Sequence, residues 1–181
     1  SAYQDYIIRG NDVDAFWQGN IYSNVLTDIQ KLREVAGTPE VNGLYHGIAN
    51  ILEAYTILML TDYFGDIPFS EALNKNKDGN IQPVFDSQES VINAAIALLE
   101  EGKTFLNNPS ALNPGSADLI YGGDKDKWRK FANAILARAY LNTSARTSGN
   151  MAKALTAASE SFTSNADNPG VPFEDSKPGP W

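Results

Sequence analysis

The chain has 181 residues, enough for one domain or for part of a larger one. Its net charge of −8 repels a phosphate backbone, which argues against nucleic acid as a partner, and its basic residues cluster only at Lys125, Lys127, Arg129 and Lys130. Without cysteine there is no disulfide, thiolate zinc site or Cys nucleophile, and the single histidine, His46, leaves a His-pair metal site without its second ligand.

Hydrophobic residues make up 43% of the chain, so a core can form, and three Trp, eight Tyr and eight Phe supply aromatic surface. No run of 18 apolar residues predicts a membrane span. The opening Ser1-Ala2-Tyr3-Gln4-Asp5 lacks the pattern of a signal peptide, so an exported protein would carry its leader ahead of residue 1.

Five segments read as helices. The first runs from about Asp12 to Val35, with Phe16, Trp17, Ile21, Val25, Leu26, Ile29 and Leu32 near helical spacing. Gly37 and Pro39 end it. The second runs from about Val41 to Phe64. Its apolar residues repeat at three and four, and Ile57 and Leu60 widen the stripe, so this helix is expected to be buried on most sides. Gly65 closes it, and Ile67-Pro68 forces an extended exit because the residue before proline avoids the helical region.

A polar loop follows from Asn74 to Pro83. The third helix runs from about Ser87 to Leu106, with Ser87 as N-cap and Glu89 in the first turn. Residues 107–124 form a loop rich in Asn, Pro and Gly. The fourth helix, about Asp126 to Ala145, is alanine-rich, which favours close helix approach. The fifth, about Asn150 to Ser164, is expected to turn Met151, Ala154, Leu155, Ala158 and Phe162 inward. From Asn165 to Trp181, four prolines and two glycines exclude regular structure, and a chain stopping there reads as cut. Helices two and three, and four and five, are predicted to form antiparallel hairpins of helical-repeat type.

Candidate chemistry is sparse. His46 is read as a structural histidine with Asn42, Asn50 or Glu53 as neighbours on its helix. Asp62 and Asp66, four apart, suggest an acid/base pair or a cation site, but Gly65 and Pro68 break the geometry between them. A structural reading is preferred, with Asp66 bonding backbone donors of the turn and Asp62 facing a base such as Arg138. Asn74 to Ile81 resembles the start of an EF-hand loop, yet Phe85 stands where a bidentate Glu is needed. Gly122-Gly123-Asp124 precedes the fourth helix as a cap rather than an anion site, because Asp124 and Asp126 repel an anion. Trp17 and Tyr121 are the candidate ligand-binding aromatics, Tyr121 as an exposed ring in its Gly-rich loop. No catalytic residue, metal ligand or cofactor is assigned.

Two segments then converge. Ala54 to Leu73, which holds Thr61-Asp62-Tyr63-Phe64-Gly65-Asp66-Ile67-Pro68, resembles the helix-end signature of SusD/RagB-like proteins. Ile120-Tyr121-Gly122-Gly123-Asp124, followed by Lys127-Trp128 and Phe131-Ala132-Asn133, resembles the pattern of one SusD-like subgroup. The resemblance implies an all-α fold of tetratricopeptide-like helix pairs with long loops. It implies a non-catalytic outer-membrane lipoprotein of the cell surface that captures oligosaccharide or peptide for a SusC-like TonB-dependent transporter. Contact with the membrane would be only through a lipid anchor absent from this chain.

On that basis residues 1–181 are expected to form a single helical domain, the N-terminal part of a larger protein, with 165–181 as an irregular tail. The matched motif residues belong to the scaffold, so the turn at Tyr63–Pro68 is read as a helix stop and not as the ligand site. The alternative is a stand-alone tetratricopeptide-like adaptor that binds a protein or peptide.

Overall fold

The computed structural model describes residues 12–73 and 82–171. Its elements are a π-helix (Ala15–Leu26), α1 (Thr27–Ala36), α2 (Gly43–Phe64), β1 (Ile67–Pro68), β2 (Phe85–Asp86), α3 (Gln88–Phe105), α4 (Lys125–Thr143) and α5 (Asn150–Ser159), with short 3-10 turns at Gly115–Ala117 and Asn165–Asp167. The fold is all-α, as expected, with one two-stranded antiparallel ribbon that pairs Ile67 with Asp86 and Pro68 with Phe85.

The first predicted helix is two helices. Its N-terminal half takes the wider π form, which is rare and favours functional positions. The sequence holds the reason. Phe16, Ile21 and Leu26 recur at intervals of five, a spacing that a π turn places on one side, and Ile21 and Leu26 are buried. Asn24 Nδ2 donates to Gly19 O and Thr27 Oγ1 to Tyr22 O, both five residues back.

Fifteen of the twenty-two residues of α2 are buried, which makes it the centre of the fold. It pairs antiparallel with α3. The seam is held close by glycine: a Cβ at Gly47 would lie 2.7 Å from Leu106 Cδ2, and one at Gly43 2.3 Å from the Phe105 carbonyl. Ser87 caps α3 by accepting from Ser90 N, and Asp124 caps α4 by accepting from Asp126 N and Lys127 N. A part-buried polar network links three helices. Arg33 of α1 pairs with Glu53 at 2.5 Å and donates to Asn50 Oδ1, while Asn50 Nδ2 donates to Glu101 of α3.

The α4/α5 hairpin corrects the expected face of the fifth helix. Met151 and Leu155 are exposed, and the buried face is Asn150, Ala154 and Ala157. Asn150 Nδ2 donates to Thr143 Oγ1 and turns that face inward, so the small residues meet α4. The helix also stops at Ser159 rather than Ser164. Ser159 and Ser161 hydroxyls bond back to carbonyls three residues earlier, and Ser164 starts a separate turn with Asp167 as a capping box. The region after Asn165, expected to be irregular, therefore opens with a short helical turn.

Candidate functional site

The end of α2 is built by a knot around Thr61. Gly65 takes φ +76°, a conformation that side-chain-bearing residues avoid, and its N–H donates to Thr61 O at 2.9 Å. Thr61 Oγ1 donates to Gly65 O, and Gln88 Nε2 reaches back from α3 to Thr61 O. The exit strand is fixed from two sides. Tyr22 OH donates to Pro68 O at 2.6 Å, and Asp86 accepts from the amides of Phe69 and Ser70. Burial, reinforced by the charge of Asp86, pushes the Tyr22 hydroxyl well above its ordinary value, so it remains a donor.

This knot presents aromatic rings. Trp17 packs edge-on against Phe64 with centroids 4.7 Å apart and lies 5.3 Å from the Tyr22 ring. Phe16 and Tyr63 flank Phe64 at 6.3 and 6.4 Å. Phe16 and Phe64 are over a third exposed and Tyr63 is 73% exposed. Four rings from two helices thus form a shelf open to solvent, with its inner edge anchored on the core. The shelf sits beside the turn that the sequence marks as a helix stop. Spacing along one helix could not show it, because Phe16-Trp17 and Tyr63-Phe64 lie 47 positions apart.

The other singled-out residues have structural places. Tyr121 is buried, not exposed as expected: its hydroxyl donates to the Asp167 carbonyl at 2.7 Å, and its ring stands edge-on to Trp128. Burial, with the nearby carboxylates of Asp167 and Asp118, pushes that hydroxyl up to about 12. The loop curls inward around Asp118, which sequence reasoning missed. Asp118 accepts from the amides of Ile120, Tyr121 and Gly123 and from Trp128 Nε1.

His46 is buried and bonded to the Gly37 carbonyl, rather than to Asn42, Asn50 or Glu53. Asp62 pairs with Arg138, as expected. Asp66 accepts from Gln88 N at the start of α3, across the ribbon rather than within its own turn. The two carboxylates are thus committed to different partners. The EF-hand-like stretch 74–81 lies outside the described residues, and Phe85 sits in β2. Among the described residues no group of three or more His, Asp or Glu side chains is placed to hold a metal ion.

A second opening, about 420 Å³, is lined by Tyr45, Ile48, Leu52, Leu119 and Ile120. Its one charged side chain, Asp118, already serves the loop.

A core of paired helices with long loops between them defines an all-α protein of helix-pair type, with a shelf of rings at one helix end. Residues 1–181 match the SusD-like family described as starch-binding and associating with the outer membrane, and the chain belongs to that family. Among solved structures it is similar to a SusD/RagB family protein from Bacteroides thetaiotaomicron, at 28% identity and TM-score 0.77 over 91% of this chain and 34% of that one. A chitin-binding protein matches at 27% identity and TM-score 0.75, over 91% of this chain and 35% of that one. A SusD homolog from Bacteroides uniformis matches at 29% identity and TM-score 0.70, over 87% and 33%. The chain thus spans about a third of the length of these structures. None of the curated proteins matches it in sequence.

Proposed function

We propose that this chain is the N-terminal helical part of a non-catalytic, cell-surface nutrient-binding protein that captures oligosaccharide at the shelf of Phe16, Trp17, Tyr63 and Phe64. The carrying observation is the exposure of these rings on an anchored base, in a family described as starch-binding. Sugar rings present flat C–H faces that pack on aromatic faces, while their hydroxyls need acceptors at the rim. The similarity to a chitin-binding protein supports a glycan ligand. Of the two aromatics expected from sequence to touch ligand, Trp17 belongs to this shelf. Tyr121, buried against Trp128, supports the neighbouring loop. The membership further supports delivery to a SusC-like TonB-dependent transporter at the outer membrane, with anchoring by a lipid outside residues 1–181.

The test is a glycan and peptide array probed with the full-length protein and its Tyr63→Ala variant. Tyr63 is largely exposed, so the variant should keep its melting temperature. Binding to one or more glycans, weakened by up to roughly tenfold in the variant, is the expected result. Glycan binding that Tyr63→Ala and Phe16→Ala both leave unchanged would move the site elsewhere, and peptide binding alone would overturn the glycan reading.

A further inference from the structure

We infer that the shelf selects uncharged oligosaccharides over anionic ones such as uronates and sulfated glycans, an inference that rests on the glycan-binding reading above. The observation is a segregation of charge. The described segments that build and frame the shelf, 12–30, 60–73 and 82–90, carry eight acidic residues and neither Lys nor Arg. Over the whole sequence, residues 1–30 and 60–90 hold ten acidic and three basic side chains, so −7 of the total −8 falls there. The other 120 residues, including all of α4 and α5, are almost neutral.

The fold brings the described segments 12–30, 60–73 and 82–90 together. The π-helix meets the end of α2 through Trp17 and Phe64, and the strand after α2 meets the start of α3 through Asp86 and Asp66. Arg138 reaches in from α4 to Asp62. A sugar carboxylate or sulfate approaching the rings meets a field of its own sign, which acts over about 10 Å at 0.1 M salt. An uncharged sugar is indifferent to the net field. Ring stacking then supplies affinity, and the acidic frame supplies discrimination.

The test compares each neutral glycan that the full-length protein binds with its counterpart oxidised to a carboxylate at C6, for instance maltohexaose and the matching uronate oligomer, at 20 and 300 mM NaCl. The expected result is tighter binding of the neutral member, with a gap that narrows at high salt. In a triple variant Asp14→Asn, Asp28→Asn, Glu89→Gln, all at exposed positions, the anionic member should gain several-fold at low salt while the neutral member is unchanged. Equal or tighter binding of the anionic member at low salt overturns the charge selection and leaves glycan binding intact. A gap insensitive to both salt and the triple variant also overturns it, since shape would then set the preference. Absence of any glycan binding overturns the underlying reading instead.

Discussion

The Tyr22 hydroxyl donates to the Pro68 carbonyl at 2.6 Å, joining the π-helix to the strand that leaves α2 across 46 positions of sequence. Pro68 is buried, so its carbonyl has little access to water. Tyr22→Phe keeps the ring against Trp17 and leaves that acceptor without its donor, at a cost of about 1–2 kcal/mol. Urea unfolding of both proteins measures it. An unchanged midpoint would show that solvent replaces the bond.

Gly65 isolates a backbone effect. A Cβ there meets nothing within 4 Å, so substitution costs only the strain of φ +76°. Gly65→Val and Gly65→Asn should both lower stability by roughly 1–2 kcal/mol, because φ +76° with ψ −115° lies outside the left-handed helical well that Asn tolerates. A Gly65→Asn variant that melts with the parent would contradict this origin.

Gly47 presents the opposite case, a helical glycine with ordinary φ and no room. Gly47→Ala must displace Leu106 and the Gly102 carbonyl, which would lie 2.7 and 3.0 Å from the new Cβ. A loss of about 1–3 kcal/mol is expected despite the better helix propensity of Ala. Chemical denaturation gives the sign. A gain in stability would mean that the α2/α3 seam opens easily.

Asp118 gathers three amides and the Trp128 indole into one loop. Asp118→Ala leaves these donors unpaired beside the core and should cost roughly 2–3 kcal/mol. Because Trp128 loses its indole partner, its fluorescence should also shift. A stable variant with an unaltered spectrum would refute this role.

The Asp167 carboxyl accepts from the amides of Thr163 and Ser164 and pairs with Lys130 at 2.9 Å, which holds it well below the usual carboxylate range. A carboxyl whose folded value is depressed contributes fully above its unfolded value, near 4. That contribution is lost as pH falls below it toward the folded value. The protein should therefore lose stability on acidification below about pH 4, and Asp167→Asn should be less stable at pH 7 but flatter in acid. Melts from pH 7 to pH 2 decide it: parallel acid limbs would exclude Asp167 as a source.

Much of this fold is legible in the chain. The caps at Ser87 and Asp124 and the Gly65 stop follow from local rules of capping and backbone conformation, and the Asp62–Arg138 pair, 76 positions apart, from opposite charge. What sequence concealed has two origins. Leu155 and Met151 look like core residues by their chemistry, but the smaller Ala154 and Ala157 allow the closer approach to α4. The shelf depends on contacts between distant segments, as do the network around Arg33 and the inward turn of Tyr121, and one-dimensional periodicity carries no signal for these.

The bond from Tyr121 to the Asp167 carbonyl also bears on where the chain can be shortened. Residues 160–167 lie beyond the last long helix. Yet Asp167 carries both the acceptor that fixes the Tyr121 loop and the carboxylate that anchors Lys130 of α4. A boundary drawn after Ser159 would leave α1 to α5 complete and still remove the clasp between the second hairpin and the loop that precedes it. A chain ended after Ser159 should therefore melt at a lower temperature than one that keeps Asp167.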